Sequence, residues 1–350
     1  MTILVTGGAG FIGSHFVRYL RQTYGRNVFI VVLDKLTYAG RKENLAGIPL
    51  PGRMVLVRKD ITDADAVRAV FRKYRPEAVV HFAAETHVDR SILDSSVFQK
   101  TNVEGTVVLL DAALAQWKAK PASFKRFVHV STDEVYGSIA PRAHSCEADP
   151  LLPRSPYAAS KAAADMFVLS YGHTHGLPVS VTRCSNNYGP RQFPEKLIPF
   201  MIERALKRET LPVYGDGLNV RDWIHVEDHC RAVGLVLRKG RDNEIYNIGA
   251  RAACTNLLLI RRLLGVIRRV TGDAKIGPSL IRFVKDRPGH DRRYSLDPSL
   301  IEKRLGWKPK RDLDQGLEET VRWYIENREW IASIRDSGVD TFLEANYKGR

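Results

Sequence analysis

No apolar run in this sequence approaches the ~18 residues that a membrane-crossing helix requires. The first residues also lack the basic, apolar and small-residue zones of an export signal, since Met1 leads straight into a strand pattern. Cysteine is scarce: Cys146, Cys184, Cys230 and Cys254 form no C-x-x-C unit, and no histidine cluster accompanies them. That spacing excludes a disulfide framework or a structural zinc site as the organising device. The expectation is a cytoplasmic protein with four reduced thiols, no membrane partner and no metal. Internal repeats and low-complexity segments are missing too, which excludes solenoids and tail-like tracts.

Acidic residues are the other deficit. Against 54 Lys+Arg there are 39 Asp+Glu, a formal charge of +15. A surplus of that size suggests nucleic acid or an acidic surface as partner. It is dispersed, however: +8 over residues 1–200, zero over 201–250 and +7 over 251–350. Its one local cluster is Arg261, Arg262, Arg268 and Arg269, which at helical spacing share a face opposite Leu259, Leu263, Val266 and Ile267. That is the pattern of a solvated helix face. No zinc-finger, RNP-type or helix-turn-helix signature accompanies it, so no nucleic-acid partner is expected.

What is present is ordinary globular material. The 350 residues, 44% apolar and 27% charged, exclude wholesale disorder and suit two domains. Apolar runs at Ile3–Thr6, Val28–Leu33, Met54–Val57, Ala78–Phe82, Phe127–Val130 and Val179–Thr182 read as strands. They alternate with helical patterns near Ala64–Lys73, Gln99–Trp117 and Tyr157–His173. Continuous apolar strands between helices predict a Rossmann-type, doubly wound parallel sheet, an α/β fold. After Gly189 the alternation loosens, and Glu244–Ile248 offers one returning strand. The predicted division is a sheet domain over 1–189 with 226–252. A smaller, discontinuous, mostly helical domain takes 190–225 and 253–350. The cleft between them is the default ligand site.

Thr6-Gly7-Gly8-Ala9-Gly10-Phe11-Ile12-Gly13 follows a strand and opens a helix. It fits G-x-G-x-x-G through Gly8, Gly10 and Gly13, and a longer glycine pattern through Gly7. Absent side chains let backbone approach a pyrophosphate, and the helix end offers free N–H groups. A glycine-rich turn can also be only a tight turn, but Asp34 ends the second strand where a carboxylate accepts ribose hydroxyls. That carboxylate repels a 2′-phosphate, so NAD is expected over NADP. Asp60, ending the third strand, is either an adenine contact or a plain loop-end carboxylate.

Tyr157 and Lys161 lie four apart on a helical pattern and share a face. A phenol is a poor base at neutral pH, and a nearby ammonium favours its phenolate. Such a pair can take a proton from a sugar hydroxyl, although Y-x-x-x-K also occurs by chance on amphipathic helices. The strand in FVHVSTDEVY delivers Thr132, Asp133 and Glu134 at its carboxyl end, the edge where open α/β sheets bind ligands. Adjacent carboxylates repel, so one holds its proton more readily and the two can act as acid and base. The alternative is a helix N-cap made by Ser131, Thr132 or Asp133.

TGGAGFIGS, LDKLTYAG, HFAAETHVDRS, STDEVYG, SPYAASKAAAD, RCSNNYGPRQFPEKLIP, YGDGLNVRDW and DRPGHDRRY together resemble the dTDP-glucose 4,6-dehydratases, extended short-chain dehydrogenase/reductases. The resemblance runs from about residue 2 to 331. It implies NAD as cofactor, a nucleotide-sugar substrate and a homodimer packed through the helices near Gln99–Trp117 and Tyr157–His173. Trp117, Met166 and Phe167 would serve that contact or belong to the core. It assigns Tyr157 to O4, Glu134 to the C5 proton, Asp133 to the departing C6 hydroxyl and Thr132 to orienting O4. Cofactor positions would be Gly7, Gly10, Phe11, Ile12, Gly13, Asp34, Lys35, Leu36, Thr37, Asp60, Ile61, Ala83, Ala84, Thr101, Tyr157, Lys161 and Asn187. Substrate positions would be Thr86, Thr132, Asn186, Lys196, Leu197, Pro212, Tyr214, Arg221, Asn256, Arg287 and His290, with Arg221 and Arg287 suited to a pyrophosphate.

Two departures stand out. Thr86 occupies a usual serine position, and NIGARAACTN lacks the family's second glycine and its acid, which puts the loop before Asn256 in question. The competing readings are a 4-epimerase or a dehydratase for another nucleotide sugar, which Asp133 and Glu134 oppose in the epimerase case. A third is a non-catalytic nucleotide or nucleic-acid binder, which the intact Thr/Asp/Glu and Tyr/Lys sets oppose.

Overall fold

The computed structural model describes residues 1–48 and 52–335. The last part of the expected second domain, 336–350, lies outside the described residues. Seven strands form one parallel sheet: β1 (Thr2–Thr6), β2 (Phe29–Asp34), β3 (Met54–Arg58), β4 (Ala78–His81), β5 (Arg126–Thr132), β6 (Val179–Cys184) and β7 (Glu244–Ile248). Their order is β7-β6-β5-β4-β1-β2-β3. The chain order reverses between β1 and β4, and a crevice outside the carboxyl ends of strands at such a point is where doubly wound folds bind ligands.

The strand centres are mostly apolar because both faces are covered. Ile3, Val5, Ile30, Val32, Val80 and Val128 meet helices Phe11–Tyr24 and Val226–Lys239 on one side. Their alternates, Leu4, Val31, Leu33, Val79, Phe127 and Val181, meet helices Ala64–Tyr74, Gly105–Ala119 and Pro156–His175 on the other. This period-two division is what a pleated strand between two helical layers requires.

A second core sits apart from the sheet. Helices Leu197–Leu206, Asn256–Thr271 and Leu313–Glu326 close over Ile198, Ile202, Leu259, Leu263, Leu317 and Val321. Arg261, Arg262, Arg268 and Arg269 are exposed on the outer face of Asn256–Thr271, while Leu259, Leu263, Val266 and Ile267 are buried. Arg262 and Arg269 pair with Asp314 at 3.7 Å and Glu318 at 3.1 Å. The late segment is not wholly on this core: Ile301 and Trp307 pack in the sheet core instead.

The helix expected from Gln99 starts differently. Gln99–Glu104 is a wider π-helical turn, and regular α-helix runs only from Gly105 to Ala119. The Asn102 amide explains the interruption. Its Oδ1 accepts from the Glu85 N–H at 2.8 Å, and its Nδ2 donates to the Glu85 carbonyl at 3.0 Å and to Ser160 Oγ at 2.8 Å. The turn thus ties the loop after β4 to the helix bearing Tyr157, the kind of functional bulge π turns mark.

Candidate active site

The cofactor end is shaped by backbone. Gly7 has φ +67°, and a Cβ there would lie 2.6 Å from the Ala83 nitrogen. A Cβ on Gly13 would lie 2.1 Å from the Gly7 carbonyl oxygen. Only glycine lets the helix start close onto the turn. Helix Phe11–Tyr24 begins at Gly10 with no side-chain cap and no acid in its first turn. Its first N–H groups, with the positive end of the helix dipole, therefore suit an anion.

Asp34 ends β2 with both oxygens oriented by amides: Oδ2 accepts from Ala9 at 2.9 Å and Oδ1 from Leu36 at 2.8 Å. Burial pushes its carboxyl up, and those two bonds oppose the shift. Each oxygen retains a lone pair for a ribose hydroxyl. Lys35 pairs with Asp60 at 2.7 Å across the ends of β2 and β3. Every expected cofactor position except Leu36 lines one cleft; Leu36 lines a shallow hollow beside it. The glycine cradle and the aimed Asp34 fit NAD.

The chemical end is assembled by side chains. Ser155 caps helix Pro156–His175, its hydroxyl accepting from the Ala158 N–H at 3.1 Å, with Pro156 at the first position. This fixes Tyr157 in the first turn and Lys161 one turn deeper. Thr132 caps the turn Asp133–Tyr136, as the N-cap alternative expected. Its hydroxyl accepts from the Glu134 N–H at 3.3 Å and donates to Asp133 Oδ1 at 3.2 Å. Thr132, Asp133, Glu134, Tyr157 and Lys161 all line the same cleft.

The two carboxyls differ in environment. Burial pushes Asp133 well above the usual range; Glu134 beside it pushes the same way, against Arg221. Burial raises Glu134 as well, but Arg287, Arg221 and Lys196 pull it down. Asp133 therefore holds its proton more firmly. One expectation needs correction. Lys161 donates to the Val130 carbonyl at 2.8 Å and to His129 Nε2 at 3.3 Å. One helical turn below the phenol, it reaches the β5 backbone, and burial, then Glu134, raises Tyr157 well above the ordinary tyrosine value.

The substrate positions fall into two groups. Thr86, Thr132, Asn186 and Lys196 line the cleft, and Lys196 donates to the Thr86 carbonyl at 3.3 Å. Leu197, Pro212, Tyr214, Arg221, Asn256, Arg287 and His290 do not line it. Leu197 opens its helix. Strand Leu211–Tyr214 pairs with Ile281–Val284, and the Tyr214 and His290 rings meet edge-on at 6.2 Å. Arg221 lies over the Tyr294 ring at 4.3 Å and donates to the Asp291 carbonyl at 2.9 Å. Arg287 pairs with Asp89 at 3.3 Å. Asp133 Oδ2, Asn186 Oδ1, Asn256 Oδ1 and Arg287 Nε are buried without a hydrogen-bond partner among the described residues. Buried polar atoms are normally satisfied, and a phosphorylated, hydroxyl-rich ligand offers what these four need.

The unusual loop before Asn256 is held from below. Asp222 Oδ1 accepts from the Ala252 N–H at 2.7 Å, and Cys254–Thr255 pairs with Val220–Arg221. Arg251 turns outward to Glu302 at 3.1 Å. Glu195 was not anticipated. Its buried carboxylate accepts from Tyr38 at 3.1 Å and pairs with Arg90 at 3.2 Å, joining its own loop to the Tyr38 loop and to helix Val88–Leu93. Beside Lys196 in the sequence it reads as surface charge, and only the folded chain brings its partners together.

Residues 4–320 match the GDP-mannose 4,6 dehydratase family. A probable dTDP-glucose 4,6-dehydratase of Sinorhizobium fredii is 47% identical over 339 residues, 96% of each chain. A dTDP-glucose 4,6-dehydratase of Actinoplanes sp. is 51% identical, over 94% of this chain and 99% of that one. Among solved structures, a dTDP-glucose 4,6-dehydratase of Streptomyces venezuelae with NAD and dTDP bound is 50% identical, with TM-score 0.85 over 94% of this chain and 98% of that one. A UDP-glucose 4-epimerase of Thermotoga maritima is similar at 33% identity, with TM-score 0.83 over 94% of this chain and 100% of that one.

Proposed function

This chain belongs to the dTDP-glucose 4,6-dehydratase family, and from that premise we propose that it removes water from dTDP-glucose to give dTDP-4-keto-6-deoxyglucose. It is then a carbon–oxygen lyase whose NAD is regenerated within each turnover. When bound, NAD supplies the hydride acceptor for C4 and returns the hydride to C6. Tyr157 takes the proton from O4, oriented by Thr132, and Lys161 carries positive charge beneath it. The 4-ketone acidifies the C5 proton, which Glu134 removes. Asp133 protonates the departing C6 hydroxyl, and Glu134 later returns its proton to C5.

The observation that carries this reading is the asymmetry of the dyad. Asp133, its carboxyl pushed well above the usual range by burial and by its neighbour, is suited to be the acid. Glu134, drawn down by three cations, is suited to be the base. Neither is needed for a simple epimerisation at C4. Arg221, Arg287 and Lys196 are proposed for the pyrophosphate. The assignment of 1–189 with 226–252 to the cofactor, and of 190–225 with 253–350 to the sugar nucleotide, belongs to the same proposal.

We place the enzyme in the cytoplasm as a homodimer. Met166 and Phe167 are exposed on helix Pro156–His175, with Ile92 and Leu93 also exposed nearby in sequence to the β4 loop, whereas Trp117 is half-buried at the edge of the sheet core. No helix among the described residues is long and apolar enough to cross a membrane. Incubation with dTDP-glucose tests the function: the product loses one water and no NADH accumulates. An unchanged mass with inverted C4 would favour the 4-epimerase.

A further inference from the structure

Below the Tyr157–Lys161 pair, the layer between the sheet and helix Pro156–His175 changes character. Apolar elsewhere, it becomes polar at His129 on β5, Arg183 on β6 and Asp165 on the helix, all fully buried. Asp165 Oδ2 accepts from Arg183 Nε at 2.9 Å. The same guanidinium donates to Tyr136 at 2.9 Å and lies over its ring at 4.8 Å. Asp165 Oδ1 lies 3.5 Å from His129 Nε2, and the Ser131 hydroxyl also faces the carboxylate. The imidazole is neutral, its pKa driven well below the usual value by burial and then by Lys161. Its Nε2 faces both Lys161 Nζ at 3.3 Å and Asp165 Oδ1 at 3.5 Å.

Lys161 stands one helical turn from Asp165. Asp165 is therefore paired directly with Arg183 and also feels the charge of Lys161, two cations around one buried carboxylate. The other groups facing Lys161 are His81 on β4, Cys184 on β6 and Tyr157 on its own helix. Burial draws Lys161 down to about 8, with Asp165 the leading influence holding it up. A lysine in that range changes charge near the operating pH.

We propose that Asp165 and Arg183 are positioning residues that set the charge of Lys161: Asp165 holds the ammonium protonated, and Arg183, by claiming the same carboxylate, limits that hold. The inference rests on the dehydratase reading only in giving Lys161 its place beneath the reacting tyrosine.

The proposal assigns opposite signs to two removals. In Asp165→Asn, Lys161 loses its counter-charge and titrates lower by about 1 unit or more. In Arg183→Gln, deprotonating Lys161 would strand a lone buried carboxylate, so Lys161 titrates higher by a similar amount. The double variant returns toward the parent. The full chain carrying lysine labelled with ¹³C at Cε reports this by NMR titration, with the Lys161 signal identified by its loss in Lys161→Arg. This readout needs no turnover, so it stands whether or not dTDP-glucose is dehydrated. The alkaline limb of C4 oxidation should move with it in each variant. If Asp165→Asn does not fold, Arg183→Gln and the double variant must still differ, the single one titrating higher. Equal midpoints in all variants, or shifts of one sign in both single variants, overturn the proposal.

Discussion

The two ends of the cleft are built by different means. At the cofactor end the shape comes from backbone: Gly7 in a left-handed conformation, Gly13 against the Gly7 carbonyl, and Asp34 held by two amides. At the chemical end it comes from side chains that distant segments bring together. The dyad on the β5 turn, Tyr157 on a helix, Arg221 on the short strand Val220–Arg221 and Arg287 in a late loop share one electrostatic field. A backbone site is fixed by steric fit and tolerates no added atom. A side-chain site is fixed by charge, so its groups can be altered singly without dismantling its shape.

Substitutions can break that contrast, the largest effect first. Tyr157→Phe should slow C4 oxidation by about 10²–10⁴-fold with NAD affinity little changed, as read by single-turnover NADH absorbance beside an NAD titration. A matching loss of affinity would merge the two ends into one unit. Asp133→Asn should slow elimination by about 10²-fold or more while C4 oxidation continues, so enzyme-bound NADH builds up. Unchanged rates in both steps would remove Asp133 from the acid role.

Gly13→Ala should do the converse. Its Cβ would lie 2.1 Å from the Gly7 oxygen, and such overpacking costs about 1–3 kcal/mol. NAD binding should weaken accordingly, with turnover at saturating NAD preserved. The mildest test uses pH alone. Glu134 must be ionised, and its pKa is raised, so the acid limb of kcat/KM should fall at a higher pH than an ordinary glutamate gives. Asp133 must be protonated and is raised further, so activity should fall again as pH rises through its value. NAD affinity should stay flat across both limbs.

The same contrast explains what was legible in the sequence. The glycine turn, Asp34 and the seven strands are local patterns, because sterics and two-sided burial act on consecutive residues. Glu244–Ile248 pairs with β6, the returning strand the sequence offers. The Tyr/Lys and Thr/Asp/Glu sets were visible as spacing, but the bonding of Lys161 was not, since its partners His129 and Val130 lie on β5, distant in sequence. Glu195 escaped notice for the same reason, as did the Asp165–Arg183 pair. The π turn at Gln99–Glu104 depends on an amide clamp to a loop that precedes it in the chain.

The most direct measurement of the central claim uses dTDP-glucose deuterated at C4. If Tyr157, Asp133 and Glu134 act around a cofactor that gives back the hydride it receives, the product has lost one water and carries the deuterium at C6. A product of unchanged mass, or one whose newly added C6 hydrogen comes from solvent, would contradict the account.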